Sequence, residues 1–225
     1  ASSAEAGAGP ENTIDGSGLN AADQHSTAAT DMWLTDISGE QPAWIQYEFP
    51  EVLKLHEMWV WNYNVQFELV LGFGLKEVTI EYSADGEEWT VLGDYEFARA
   101  TARATYAPNT TIDLDGMVAK YVRLTANSNW SGVMPQFGLS EVRFTYKPVL
   151  AREPVPSDGQ MGLGLDVALD WRGGREAAVH EIYFSDDEQA VIDGAALLDA
   201  VAESRYEVEG LSPVSYTHLR AHETV

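Results

Sequence analysis

Strict alternation of apolar and polar side chains is the feature of this sequence that most constrains its fold. Val78, Ile80 and Tyr82, for example, alternate with Thr79 and Glu81. Successive side chains of a β-strand point to opposite faces, so a period of two predicts strands with one buried face. The same pattern occupies residues 45–49, 78–82, 122–126 and 142–146. Such half-buried strands are typical of antiparallel sheets.

Other segments of the first 148 residues agree with this prediction. Residues 58–61, Met-Trp-Val-Trp, are apolar on both sides and predict a central strand that is covered on both faces. A Ser-Ala-Asp-Gly sequence at residues 83–86 predicts a turn between two strands. No sustained helical period occurs in this region. Many short strands joined by polar loops predict an all-β fold, either a β-sandwich or a jelly roll.

The charge of the chain excludes two classes of partner. There are 13 Lys and Arg residues against 36 Asp and Glu, a formal net charge of −23. Such a surface repels phosphate backbones and anionic lipids, so we expect neither nucleic acid nor an anionic membrane as a partner. The chain has no cysteine, which excludes disulfide scaffolds and thiolate metal sites. A neutral glycan and calcium remain compatible with the composition.

A break in composition predicts two domains. Three prolines and a Pro-Ser-Asp-Gly turn signal favour an extended linker over residues 148–158, between a first domain at 1–147 and a second at 159–213. The second region contains an alternating strand at 165–171, shorter strand patterns at 182–184 and from 206, and an Ala- and Leu-rich segment at 190–202 that predicts a short helix. About three strands are too few for a complete sandwich, so we expect an incomplete module.

The last residues have an unusual sequence. Residues 214–224, Val-Ser-Tyr-Thr-His-Leu-Arg-Ala-His-Glu-Thr, resemble one reading frame of a common transposase sequencing adapter. We therefore interpret residues 214–225 as adapter-derived. His218 and His222, a pair that would otherwise suggest zinc, then carry no weight as metal ligands. The chain as a whole reads as a fragment of a longer protein.

Several motifs of the first domain, in their order along the chain, resemble one family. They are Asn-Thr-Ile-Asp-Gly at 12–16, Trp33, Pro-Ala-Trp-Ile-Gln-Tyr at 42–47, the strand, Asp-Gly turn and Trp at 78–89, and the last strands at 120–124 and 139–142. The set resembles the discoidin family, or coagulation-factor type C domain, whose bacterial members include carbohydrate-binding module family 32. The resemblance covers about residues 1–147. It implies an eight-stranded, galactose-binding-like jelly roll with binding loops at one end, and commonly one structural calcium.

The second domain is similar to another module. Leu169-Asp170-Trp171 and residues 181–184, Glu-Ile-Tyr-Phe, resemble a fibronectin type III module over roughly residues 151–211. The later strands of that family are missing. The expected fold class is therefore all-β, with a jelly-roll sandwich followed by an incomplete fibronectin type III-like sandwich.

A metal site is expected around Asp15. Calcium takes six to eight oxygen ligands, and the loop at residues 13–18 offers backbone carbonyls beside the Asp15 carboxylate. The family resemblance places Glu141 across from this loop and leaves the other ligands open among Asn12, Ser17, Asn20 and Thr30. Alternatively, Asp15 caps a turn and Glu141 is solvated.

A ligand site is expected in the loops after two strands. Sugars need an aromatic face and a few polar groups for their hydroxyls. The predicted ligand contacts are His25, Asn62, Asn64, Asn129, Trp130 and Phe137. For His25 the alternative is a role in stabilising its loop, and Trp130 could also fold inward. The matching loop lacks the arginine of galactose-binding relatives. The other tryptophans (Trp44, Trp59, Trp61, Trp89 and Trp171) are expected in the core.

These observations predict a non-catalytic carbohydrate-binding module of a larger secreted, multi-modular bacterial protein. It would act outside the cell or at its surface as a monomer, linked in cis to other modules, with a glycan or polysaccharide as ligand. No pair of carboxylates or nucleophile motif indicates an enzyme. The alternative is a protein-interaction or cell-surface adhesion module on the same fold.

Overall fold

The computed structural model describes residues 1–209 and the backbone of residues 221–224. The chain divides into two compact units, Ala1–Tyr146 and Lys147–Val225, which are described separately. No helix in the described residues is long and apolar enough to span a bilayer.

The first unit is built from seven strands. They are β1 (Trp33–Leu34), β2 (Ala43–Asn62), β3 (Glu77–Ser83), β4 (Thr90–Glu96), β5 (Thr110–Asp113), β6 (Val118–Ala126) and β7 (Gly138–Tyr146). Its helices are the 3-10 turns Pro10–Thr13 and Ala29–Asp31 and one α-helical turn, α1 (Glu68–Leu71). All strand pairs are antiparallel. The predicted all-β fold class is confirmed.

Strand β2 belongs to both halves of the sandwich. Its residues 43–54 pair with β6, which continues to β3 and β4, whereas its residues 55–62 pair with β7 and residues 57–60 with β5. Between Glu48 and Leu53 the register shifts. Pro50 lies in this interval, where it has no N–H to donate to a ladder. Two strands predicted separately, at 45–49 and 58–61, are therefore parts of one long strand.

The core of the first unit follows the alternation of the sequence. Ile45, Val78, Ile80, Val122 and Leu124 all point inward and are at most 1% exposed. They form one cluster with apolar residues of β2, β5 and β7. Burying these side chains supplies the hydrophobic stabilisation that a sandwich of short strands requires.

The outer face of the β2–β6–β3 sheet corrects one expectation. Trp44 and Trp89, predicted in the core, lie half-buried on this face. The guanidinium carbon of Arg123 is 4.0 Å from the Trp89 ring centroid and 5.4 Å from that of Trp44. Both indoles thus pack against the Arg123 guanidinium, and Trp89 also contacts the ring of Tyr121. Trp61 is fully buried, as predicted.

The second unit contains two small sheets. Its elements are β8 (Arg152–Val155), β9 (Val167–Arg172), β10 (Val179–Tyr183), α2 (Glu188–Ile192), β11 (Leu197–Val201), β12 (Arg205–Val208) and β13 (Ala221–Thr224). The sheet orders are β11-β10-β13 and β12-β9-β8. Val167, Leu169, Trp171 and Ile182 form its buried cluster. The fibronectin type III interpretation stays a prediction.

Two details of the second unit differ from expectation. Strand β8 pairs with β9, so residues 152–155 of the predicted linker belong to a sheet. The predicted helix ends at Ile192, and β11 follows it and pairs with β10. Gly194, at φ +72°, provides the left-handed conformation between helix and strand.

The adapter interpretation concerns residues 214–225. Residues 210–220 and 225 lie outside the described part of the chain. The backbone of β13 pairs with β10, from Val179 opposite Thr224 to Ile182 opposite Ala221. The origin of this segment stays a prediction.

Candidate functional site

Four loops of the first unit meet at one end of its sheets. Strands β2, β4 and β6 end here and β3, β5 and β7 begin here, because neighbouring strands are antiparallel. Three of the loops are residues 63–76, 97–109 and 127–137. The fourth, residues 18–26, joins them through the main-chain N–H of His25, which donates to the Tyr106 carbonyl at 2.7 Å. We call these four loops the loop end.

Two asparagines predicted to contact ligand hold the loop end together from inside. Nδ2 of Asn62 donates to the carbonyls of Leu75 at 2.7 Å and Ala98 at 2.9 Å. Nδ2 of Asn64 donates to the carbonyl of Arg103 at 2.8 Å. Both asparagines are 0% exposed. The prediction of ligand contact is corrected here, because neither side chain reaches the surface.

Asn129 and Phe137 also have internal roles. Nδ2 of Asn129 donates to the carbonyls of Met134 and Gln136, both at 2.7 Å, and closes its own loop. Phe137 is 7% exposed and belongs to the main apolar core. Both residues therefore shape the loop end from below its surface.

His25 is also buried. Its Nδ1 lies 3.1 Å from the carbonyl of Ser26, and its ring packs where a side chain on Gly18 would stand. Burial lowers the pKa of the imidazole and favours its neutral form. This environment agrees with the alternative role, a histidine that stabilises its loop.

Trp130 remains at the surface of the loop end. It is half-buried, and its Nε1 donates to the Phe97 carbonyl at 3.1 Å. The ammonium of Lys76 lies 5.3 Å from the centroid of its ring. A cation thus already lies over the indole, and a ligand contact by Trp130 stays a prediction.

A cavity of about 480 Å³ opens at the loop end. It is lined by Leu69 of α1 and by Arg99, Ala100, Thr101, Arg103 and Thr105 of the loop between β4 and β5. This volume lies within the range typical of small-molecule sites. The lining combines an apolar side chain with guanidinium and hydroxyl donors. Such a combination suits a polar ligand with an apolar face.

The sequence carries a signal for this cavity that the sequence analysis missed. Residues 98–105 read Ala-Arg-Ala-Thr-Ala-Arg-Ala-Thr, a tandem repeat. It places two arginines and two threonines in eight residues of a chain that has only 13 Lys and Arg residues. The predicted site contains no arginine, whereas residues 97–109 bring Arg99 and Arg103 to the loop end.

Helix α1 is fixed beside the cavity by a buried carboxyl group. Glu68 is 0% exposed, and its carboxylate accepts the main-chain N–H groups of Phe73 at 3.0 Å and Gly74 at 2.9 Å. Burial raises the pKa of Glu68 to about 7, although both N–H donors and the charge of Arg99 lower it. Gly72 ends the helix at φ +66° and donates to the Glu68 carbonyl.

The Asp15 loop and the Glu141 carboxylate, which contain predicted metal ligands, lie next to each other. Oδ1 of Asp15 accepts the N–H of Ser17 at 2.7 Å, and the N–H of Gly16 is bonded to the Glu141 carboxylate. Glu141 is 2% exposed, and its Oε2 has no hydrogen-bond partner among the described residues. Burial raises the pKa of Glu141 to about 7. A buried oxygen without a donor, close to a second carboxylate, fits the oxygen ligand set of calcium.

The other predicted ligands are less favourably placed. Nδ2 of Asn12 donates to the carbonyls of Thr30 and Met32, both at 3.0 Å, and its main-chain carbonyl accepts from Oγ of Ser17 at 3.3 Å. Asn20 closes its own turn through Oδ1. No three His, Asp or Glu side chains gather as metal ligands within the described ranges. Main-chain and hydroxyl oxygens would therefore complete any coordination sphere.

The first unit matches a known family. The sequence model of the F5/8 type C domain matches residues 1–137. No curated protein matches the chain.

Several solved structures are similar to the chain. One, described as GH31 CBM32-2 bound to GalNAc, is 18% identical with a TM-score of 0.47, over 65% of this chain and 93% of that one. CBM32-3 from a family 31 glycoside hydrolase of Clostridium perfringens is 18% identical, with a TM-score of 0.48. The match covers 64% of this chain and 86% of that one. CBM32-1 from a family 31 glycoside hydrolase of the same organism is 11% identical with a TM-score of 0.45, over 65% and 90%.

Proposed function

The chain belongs to the F5/8 type C domain family, and we propose on this premise that its first unit is a non-catalytic carbohydrate-binding module. The cavity at the loop end carries the proposal. Leu69 offers an apolar contact for the C–H face of a sugar ring, and Thr101 and Thr105 offer hydroxyls. A preformed site of this kind loses little conformational entropy when it binds a small rigid ligand.

The buried asparagines support a preformed site. Asn62 and Asn64 connect three of the four loops of the loop end, residues 18–26, 63–76 and 97–109. They do so by side-chain hydrogen bonds to main-chain carbonyls. Because both side chains are fully buried, these bonds are shielded from competition by water. The position of the cavity lining is thus set before ligand arrives.

We further propose that calcium is bound by Asp15, Ser17 and Glu141 as a structural ion. The unpaired Oε2 of Glu141 supports this. The ion would neutralise two carboxylates and stabilise the loop that contains Gly16. Chelation should then lower the melting temperature of wild type, and the Asp15→Asn variant should not respond to calcium. Equal melting curves of wild type with calcium and with chelator would contradict the proposal.

The proposed setting is extracellular. The module would belong to a secreted, multi-modular bacterial protein and would keep a linked partner module close to its glycan by raising the effective concentration. It would bind as a monomer.

A second candidate function is supported by exposed apolar side chains. Phe67, Val70 and Val133 of the loop end are 64%, 83% and 85% exposed. Exposed apolar side chains of this size suit a protein partner better than a hydrated sugar. This observation favours a protein-interaction or adhesion module as the alternative.

A glycan array with the full chain tests the main proposal. We expect binding to at least one glycan, with about tenfold weaker affinity for Leu69→Ala, because the variant loses the apolar contact. Leu69 is 58% exposed, so the substitution should leave the fold intact. Lys120→Ala, on the outer sheet face, is the matched control and should bind like wild type. Absence of binding to every glycan, with and without chelator, would refute the proposal.

A further inference from the structure

The cavity at the loop end has a charge opposite to that of its unit. Residues 1–146 contain seven Lys and Arg residues against twenty-one Asp and Glu. Two of the seven, Arg99 and Arg103, line this one cavity. Neither forms an ion pair with a carboxylate of the described residues. Arg143, by contrast, pairs with Asp23 at 2.7 Å.

The main-chain carbonyls of both arginines accept side-chain hydrogen bonds, and both guanidinium groups keep donors that the described residues do not use. Nη2 of Arg99 donates to the Glu68 carbonyl at 2.7 Å, and the Arg99 carbonyl accepts from Nδ2 of Asn109 at 2.9 Å. The carbonyl of Arg103 accepts from the buried Asn64. No acceptor among the described residues bonds to Nη1 of Arg99 or to the guanidinium of Arg103. The loop thus presents two cations whose remaining N–H groups can bind a ligand.

We infer that this cavity takes a sugar that carries a carboxylate, such as a uronic acid residue of an acidic glycan. The inference rests on the proposed carbohydrate-binding function and names its substrate class. A guanidinium presents paired N–H donors that match the two oxygens of a carboxylate. Thr101 and Thr105 remain available for the ring hydroxyls.

The acidity of the whole unit does not oppose such a ligand at short range. At physiological ionic strength the Debye length is about 8 Å, so distant surface carboxylates are largely screened. The carboxyl group of Glu68, which interacts electrostatically with the charge of Arg99, is buried and bonded to the N–H groups of Phe73 and Gly74. The described residues that line the cavity include two cationic side chains and no carboxylate.

The test compares sugars that differ only at one carbon. Glucuronate and galacturonate oligosaccharides are titrated against the full chain beside glucose and galactose oligosaccharides of the same length and linkage, by calorimetry at about 0.15 M salt. We expect at least one acidic member to bind about tenfold more tightly than its neutral counterpart. Arg103→Gln should remove most of that preference, so that acidic and neutral members bind this variant with similar affinity. Lys120→Gln, outside the cavity, is the control.

Three other outcomes would contradict the inference. Equal or stronger binding of the neutral members would overturn the inference and leave the proposed function standing. Binding of no glycan at all would overturn both. Equal affinity for a sulfated sugar would overturn the assignment to a carboxylate. Arg99→Gln could weaken the fold through its bond to α1, so Arg103→Gln, whose side chain is exposed, decides the question.

Discussion

Replacing Glu68 with glutamine isolates the effect of one buried acid on the stability of the loop end. Burial raises the pKa of this carboxyl group from 4.5 to about 7 in the folded state. The folded protein therefore keeps a proton on Glu68 at pH values where the unfolded chain has lost it. Stability from this group is fully present below about pH 4.5 and is lost as the pH rises through about 7.

The size of the effect follows from the shift. A rise of the pKa from 4.5 to about 7 corresponds to about 3 kcal/mol of unfolding free energy. Tyr63 and Tyr106, whose pKa values Glu68 also raises, do not titrate in this range. The Glu68→Gln variant cannot ionise at position 68. The difference in stability between wild type and this variant therefore reports on Glu68 alone.

Urea unfolding of the full chain followed by tryptophan fluorescence provides the assay, because six of the seven tryptophans lie in the first unit. From about pH 4.5 to pH 8, wild type should lose about 3 kcal/mol relative to Glu68→Gln. At each pH the variant also lacks one acceptor for a buried N–H group, a constant cost of about 1–3 kcal/mol. Glu87→Gln, on an exposed turn, is the control and should follow wild type throughout.

Two outcomes would refute this reasoning. A constant difference between wild type and Glu68→Gln across the range would mean that folding does not perturb the carboxyl group. A difference that moves in favour of wild type with rising pH would mean that the N–H groups of Phe73 and Gly74 and the charge of Arg99 outweigh burial.

Three further substitutions test the packing. Asn64→Ala removes the side-chain amide that donates to the carbonyls of Ser26 and Arg103, and should lower the free energy of urea unfolding by about 2 kcal/mol. A loss below about 0.5 kcal/mol would refute its role in holding the loops. Gly72→Ala places a Cβ at φ +66°, 2.5 Å from the nitrogen of Ser131, and should lower the free energy of unfolding by more than about 1 kcal/mol. An unchanged urea midpoint would contradict this contact. Arg123→Ala should lower the free energy of unfolding by about 1 kcal/mol or less and raise the acrylamide quenching of Trp89 fluorescence. Unchanged quenching would contradict the stacking of Arg123 on Trp89.

The strands of the first unit could be predicted because their signal is local. At Val78 and Ile80 the period of two follows from the geometry of an extended chain, whatever the partner strand is. The union of residues 45–49 and 58–61 in β2 could not be predicted in the same way. Pro50 lies between these segments and predicts a break between two strands. Only the pairing of β2 with both β6 and β7 shows that the strand continues past Pro50.

The candidate site was harder to predict than the strands. Asn62 and Asn64 lie where a strand passes into a loop with polar residues. This pattern is the same for exposed asparagines that contact a ligand and for buried asparagines that form internal hydrogen bonds. The difference depends on whether carbonyls of other loops reach them, as those of Ala98 and Arg103 do. Such contacts span about 40 residues of sequence, and local pattern carries no information about them.

The sequence by itself determined the inward and outward alternation along the strands, the all-β class, the family and the net negative charge. Each of these depends on composition, on neighbouring residues or on motifs in fixed order. Only the tertiary structure decided that the amides lie inside and that Arg99 and Arg103 meet Leu69 around one cavity. The net charge of the chain favoured a neutral ligand, because net charge counts every charged residue whatever its distance from the binding site. A binding site depends on the charges within a Debye length, and chain folding alone determines which charges those are.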